Sequence, residues 1–303
     1  MSSRIALVLI VLIYFALASL YAINTPLWQV PDEPAHYNYI RAIAETGALP
    51  VLQAGDYDQA YLELLKSRKF PPDLSIDAIR YEGHQPPLYY LLAAPIYMLT
   101  ANDSLTTRVI ALRLFSVALG GALLVIAHRI ARAIFPADDL IALMTVALIA
   151  FIPQHLAMTA GINNDALAEV VLAGSVLGLL RLMDEKGKQG ETKGNKAVGL
   201  LIGLGFLTKS TTYVSVGLVA VTLLLLWRFQ RASRIAYRIS RIAYRISRIA
   251  HRALRIAHRA SRIPNHVSRF TFYVFMPALL LGGVWFARNA LTYGPLDWLG
   301  LAR

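Results

Sequence analysis

The chain has no cysteine in 303 residues. Disulfides, thiolate nucleophiles and cysteine-ligated metal centres are therefore excluded, and the redox compartment stays undetermined. Charge is scarce as well: only 16% of residues are charged, and 18 acids face 30 lysines and arginines. Apolar residues fill the space instead, at 56% of the chain with a mean hydropathy of +0.50. A soluble domain of this length does not carry so much apolar material, whereas a polytopic helical membrane protein does. At roughly 20 residues per span there is room for about seven spans and one large loop. The net charge of +12 first suggests nucleic acid. The excess is local, however, with about a dozen arginines between Arg228 and Arg269, and nucleic acid is the weaker reading.

Apolar runs lie near 5–22, 86–100, 109–127, 140–160, 166–182, 197–208, 211–227 and 271–287. The first follows Arg4 with no small-residue cleavage site near its end, and reads as a retained signal anchor. The run 86–100 is short for a span, opens on Pro86 and Pro87 and contains Pro95, so it reads as a helix on the outer surface. Seven spans remain. The basic loops 128–132, 181–196 and 228–269 then share the cytoplasmic side, as the positive-inside rule requires. The expected fold is all-α: a polytopic membrane domain over 1–303 in the cell membrane, with 23–107 and 289–303 outside. The long first extracytoplasmic loop, 23–107, should hold surface helices. Tyr37, Ile40, Ile43 and Ala44 stand at helical spacing in 35–46, closed by Gly47, and a second, charged stretch, 56–69, is broken by Pro71 and Pro72.

A heptad repeat occupies 233–263 within the basic insertion 228–269. Ile235, Ile239, Ile242, Ile246, Ile249 and Ile256 form one stripe beside a row of arginines. As a helix it would run about 45 Å at 1.5 Å per residue. Without acids it cannot pair with itself, and anionic membrane lipids are its best partner. The near-identical copies are read first as a duplication that expanded a tolerant loop, with a lipid-surface anchor or a nucleic-acid arm as the functional alternative. Pro264 ends it on either reading.

The residues with chemical potential converge on the outer side. Asp32 and Glu33 directly follow the first span, beside Trp28. A helix N-terminus favours such acids, but a carboxylate at a membrane edge also suits general-base work. Glu82 and His84, two apart, both reach a metal ion if their segment is extended. Asn163, Asn164 and Asp165 head the span that starts at Ala166, where capping alone explains them. Lys209 divides two apolar runs, and Arg288 ends the last span. Each is a loop cation or a phosphate contact.

These pieces, in this order, resemble the membrane glycosyltransferases of the GT-C fold. The likeness is strongest to protein O-mannosyltransferases and lipid A aminoarabinose transferases. It is carried by Pro31-Asp32-Glu33, the Gly47-Ala48-Leu49-Pro50 helix end, His84-Gln85-Pro86-Pro87-Leu88-Tyr89-Tyr90, Arg113-Leu114-Phe115-Ser116, Asn164-Asp165, Thr208-Lys209 and Trp285-Phe286-Ala287-Arg288-Asn289. The resemblance implies a polyprenyl-phosphate sugar donor and a glycan, lipid or protein acceptor arriving from outside. Asp32 is then the base, with Glu33 and Asp165 as the other catalytic acids. His36, Tyr89, Asn164, Lys209 and Arg288 are the substrate-binding candidates, and Glu82 and His84 the ligands of a possible divalent metal ion. Relatives of the aminoarabinose type carry lysine where this chain has Gln85, which moves the phosphate contact to Lys209 or Arg288. Many relatives continue for further spans and an outer domain, so a chain ending at Arg303 reads as a fragment or as lacking its acceptor-binding half. The competing readings are a non-catalytic scaffold or lipid-binding relative, and a transporter. The transporter is disfavoured because no half-to-half similarity or midplane polar group stands out.

Overall fold

The computed structural model describes residues 2–184, 191–228, Ile235 and 264–300, and these residues contain helices and no strands. The helical membrane architecture expected from composition is what forms. Apart from Ile235, the arginine repeat lies outside the described residues, and with it the expected lipid-surface helix.

Five helices are long and apolar enough to cross a membrane: α1 (Ser3–Asn24), α5 (Leu105–Ile134), α8 (Asp165–Asp184), α10 (Ser210–Arg228) and α11 (Pro264–Tyr293). A sixth span exists if α6 (Asp139–Phe151) and α7 (Pro153–Thr159) count as one, since they are bent by 63° at Ile152. The bend has a local cause. Pro153 has no N–H to continue the α6 ladder, and it starts a fresh helix at the position proline tolerates. The seventh expected span, 197–208, is shorter than a span. It is α9 (Glu191–Phe206), whose apolar part is Gly194–Phe206. Its end is fixed by tertiary bonds: the Leu207 carbonyl accepts from Leu88 N at 2.8 Å, and the Thr208 carbonyl accepts from Asn164 Nδ2 at 3.3 Å.

Between α1 and α5 lie three short helices: α2 (Glu33–Thr46), α3 (Gln59–Ser67) and α4 (Leu88–Leu99). Each boundary has a sequence cause. Gly47 takes a left-handed φ of 69° to close α2, and Asp58 caps α3 by accepting from Tyr61 N at 2.9 Å. Ser104 caps α5 and Asp138 caps α6 in the same way. The 86–100 run is α4, only 12 residues long, as its prolines imply.

The spans pack as two neighbouring groups. Tyr14, Ala18 and Ala22 of α1 meet α5, α6 and α7 in one core, while α8, α9, α10 and α11 share another. A third core joins the loop helices to one end of the bundle. In it Tyr37, Tyr39 and Ile40 of α2 and Tyr89, Tyr90 and Ala93 of α4 pack on Val109 and Leu112 of α5 and on Leu167 of α8. The loop therefore roofs the end where α1, α7, α9 and α11 finish and α5, α8 and α10 begin. Arg129, Arg132, Arg181 and Arg228 sit on the helix ends that point away from it.

Candidate active site beneath the helical roof

Beneath the roof, Glu33 and Arg113 form a closed unit. Both side chains are at most 1% exposed. Glu33 Oε1 accepts from Arg113 Nε at 2.7 Å and from Ile162 N at 3.3 Å, and Oε2 from Arg113 Nη2 at 2.7 Å and Trp28 N at 3.0 Å. Arg113 spends its remaining hydrogens on the carbonyls of Ala22 (2.9 Å), Thr25 (2.6 Å) and Pro26 (3.0 Å), where α1 ends. A guanidinium has five N–H donors and a carboxylate about four acceptor sites, and here all are used. Glu33 therefore has no lone pair left for a reacting group. The structure gives it a clamp's surroundings, in contrast to the catalytic role expected beside Asp32.

Asp32 is its opposite. It occupies the N-cap position of α2, yet its side chain makes no capping bond. Its backbone is left-handed, with φ 60°, a conformation uncommon outside glycine that asparagine and aspartate tolerate better than other residues. The residue is exposed, and Oδ1 accepts a 2.6 Å hydrogen bond from the Tyr81 hydroxyl. Helix capping, the simplest explanation of this acid from sequence, is not what it does.

Tyr81 opens a 3₁₀ turn, Tyr81–His84. The expected extended segment, on which Glu82 and His84 would share a face, is therefore absent, because a tight turn does not align alternate residues. His84 Nδ1 lies 2.9 Å from the Tyr81 carbonyl oxygen, so that nitrogen donates. Glu82 is largely buried, and its Oε2 has no hydrogen-bond partner among the described residues. Burial raises its proton affinity above the usual carboxylate range. The His84 charge opposes that rise, Asp32 adds to it, and Gln85 and Lys209 oppose it. Burial likewise raises Tyr81, reinforced by its bond to Asp32. Asp32, Glu82, His84 and Lys209 thus share one electrostatic neighbourhood.

His36 projects from α2 into the same region. It is stacked on Tyr90, with Nδ1 2.9 Å from the Tyr90 hydroxyl. Burial first, then the charges of Lys209 and His84, push its pKa down to about 3, so the imidazole is neutral at physiological pH. Tyr90 also stacks on Tyr39 at 3.7 Å, and the Tyr39 hydroxyl donates to the Gln85 carbonyl. Tyr89, the expected substrate contact, points elsewhere. It is fully buried, with its hydroxyl 2.8 Å from Ser116 Oγ, and Tyr90 is the member of the pair that faces the site.

At the head of α8 the work is divided. Asn163 Oδ1 accepts from Ala166 N at 3.1 Å and so caps the helix. Asn164 is freed to bridge Gln85 Oε1 and the Thr208 carbonyl, and its own Oδ1 has no partner among the described residues. Asp165 Oδ1 holds Lys209 Nζ at 2.7 Å, the lysine being the more buried of the two. Arg288 sits at the same end. Nη2 donates to the Pro50 carbonyl at 2.8 Å, Nη1 to Asn289 Oδ1, and the guanidinium lies 5.0 Å from the Trp285 ring centre. That leaves part of its fork for a ligand.

No set of three histidine, aspartate or glutamate side chains among the described residues is placed to hold a metal ion. Glu82 Oε2 and His84 Nε2 offer two donors, so an ion held there would take its remaining ligands from water or a substrate phosphate. These residues do not make a protein-only metal site.

A family model described as dolichyl-phosphate-mannose-protein mannosyltransferase matches residues 84–247. The matched stretch includes His84, Asn164, Asp165 and Lys209, and the Asp32 loop lies ahead of it. No curated protein and no solved structure matches the chain. More than half of the chain falls within the matched stretch, and the protein belongs to the dolichyl-phosphate-mannose-protein mannosyltransferase family.

Proposed function

We propose that the protein transfers a sugar from a polyprenyl-phosphate donor to an acceptor hydroxyl on the extracytoplasmic face, with Asp32 as general base. The observation that carries the reading is the contrast between two neighbouring acids. Glu33 is saturated and buried, while Asp32 is exposed, uncommitted to its helix and held in a left-handed backbone. Backbone strain of this kind costs about 1–3 kcal/mol and persists where the surroundings impose it, often at functional sites.

The reaction balances without a redox partner. The acceptor O–H gives its proton to the Asp32 carboxylate as its oxygen bonds to the anomeric carbon. The bond from that carbon to the phosphate oxygen breaks, and the electron pair leaves with the polyprenyl phosphate. The developing phosphate charge needs cations, and Lys209 and Arg288 are two that this end of the bundle offers. Asp165 positions Lys209 through its 2.7 Å contact, and Glu33 and Arg113 position the Asp32 loop. Neutral His36 adds no competing charge. None of these steps is routed through a metal ion. The outward orientation rests on the arginine-bearing helix ends, which lie opposite the site.

The test is Asp32→Asn in the purified chain, with radiolabelled polyprenyl-phosphate-mannose as donor. Loss of a general base lowers turnover by about 10²–10⁴-fold. Transfer at the parent rate by a correctly inserted Asp32→Asn protein refutes the assignment.

A further inference from the structure

The loop between α2 and α3 fixes an exposed ring more firmly than exposure alone requires. Tyr57 is 56% exposed, whereas its neighbour Asp56 is only 4% exposed. Asp56 Oδ2 accepts from Gln53 N at 2.8 Å, Oδ1 pairs with Arg80 at 2.9 Å, and the Asp56 carbonyl accepts from Arg80 N at 3.2 Å. The segments carrying Tyr57 and Tyr81 are thereby stitched together. Their rings stand edge to face, 5.3 Å apart at 87°, and Tyr81 reaches Asp32. Single exposed aromatics need no explanation on their own. Here a buried carboxylate, itself costly to desolvate, holds one rigid next to the proposed base. A ring fixed in advance loses little freedom when a ligand stacks on it.

We infer that Tyr57 is the platform of the acceptor subsite and that the acceptor is a saccharide. The inference rests on the reading of Asp32 as the base. A sugar ring has an apolar C–H face and a hydroxyl edge, and the site offers a matching pair of surfaces. The Tyr57 ring supplies the apolar contact. Exposed Asp32, with Arg80 at the rim, supplies hydrogen-bonding partners for hydroxyls. One tyrosine ring, that of Tyr81, separates platform from base.

The experiment is saturation-transfer NMR on the full chain in detergent. The probes are mannobiose, maltose and chitobiose, beside a serine- and threonine-rich peptide, each tested without donor. At least one disaccharide should bind. Tyr57→Ala should weaken its Kd about tenfold, and Tyr57→Trp should retain it, as a stacking contact worth about 1.4 kcal/mol demands. In transfer assays Tyr57→Ala should raise the acceptor KM with kcat little changed. Binding of none of the disaccharides, an unchanged Kd in Tyr57→Ala, or binding of the peptide alone overturns the inference. Because binding is read without chemistry, disaccharide binding that depends on Tyr57, together with transfer at the parent rate by Asp32→Asn, sinks the Asp32 assignment and leaves the saccharide contact standing.

Discussion

Replacing Arg113 with methionine tests the clamp at its centre. The substitution keeps most of the side-chain volume and removes five donors at once. Two of them served Glu33, and three served the carbonyls of Ala22, Thr25 and Pro26. The Glu33 carboxylate would stay buried with only Trp28 N and Ile162 N for company. Breaking one side of a buried ion pair costs about 3–5 kcal/mol, or roughly two to three and a half orders of magnitude in the folded population at about 1.4 kcal/mol per decade. Glu33→Gln should cost a similar amount for a different reason. Each Glu33 oxygen accepts one guanidinium N–H and one backbone N–H, so either orientation of the glutamine amide turns its NH₂ onto two donors. The two losses share one network, and the double variant should lose clearly less than their sum. Denaturant titration in detergent, followed by fluorescence of buried Trp28, measures all three. An Arg113→Met protein within about 0.5 kcal/mol of the parent, or strictly additive losses, would show that the clamp does not hold the roof to the bundle.

Acid should weaken the fold through His36. Its folded pKa of about 3 lies below the ordinary 6.5, so between those values the unfolded chain binds the extra proton. Stability therefore falls as pH drops from 6.5 toward 3, by up to about 1.4 kcal/mol per pH unit. His36→Gln should flatten that slope in denaturant titrations at stepped pH, and an unaltered slope refutes the burial argument. At the α9–α11 contact, a Cβ on Gly199 would collide with the Val274 and Tyr273 backbone oxygens, which cannot move aside cheaply. Gly199→Ala should cost about 1–3 kcal/mol, whereas Gly217→Ala, with open space around it, should be neutral or stabilising by up to about 1 kcal/mol. Equal thermal stability of the two variants would refute the close packing.

The spans were legible because their signal is length and apolarity, and α1, α5, α8, α10 and α11 all carry it. The prolines foretold that α4 is too short for a span, and Gly47 marked the end of α2. Two features escaped. The α6–α7 break was signalled by Pro153 within the run 140–160, but a hydropathy reading averages over one residue. The end of α9 at Phe206 and not at 208 escaped although Lys209 divides the two apolar runs, because bonds from Leu88 and Asn164, far away in sequence, help fix it. In the site, the chain's order gave Asp32, Glu82, His84, Asp165 and Lys209 a common end, and the fold assembles them there. Sequence alone could not choose Tyr90 over Tyr89 or Asn163 over Asn164, because adjacent helical or capping residues differ only in direction. Tyr81 as the Asp32 partner had no signal at all. Arg113 did: an arginine within an apolar span demands an acidic partner, and Glu33 is an acid at the right end.

The clamp also explains why Asp32 differs from its neighbour. Glu33 Oε2 reaches back to Trp28 N, closing residues 28–33 into a tight loop. Inside that closure Glu33 N bonds the Val30 carbonyl at 3.3 Å and Gln29 N the Pro26 carbonyl at 3.4 Å. A chain turned so sharply must use left-handed residues, and the two it uses are Trp28, with φ 66°, and Asp32, with φ 60°. Once Asp32 is left-handed, its carboxylate can no longer swing over the first turn of α2 to cap it. It projects instead to where Tyr81 meets it. A buried ion pair spent wholly on structure thus sets the backbone that keeps the preceding acid exposed and uncommitted. On this argument the two acids cannot exchange roles: Glu33→Asp, one methylene too short to span Arg113 and Trp28 together, should disturb the position of Asp32 even though the charge is kept.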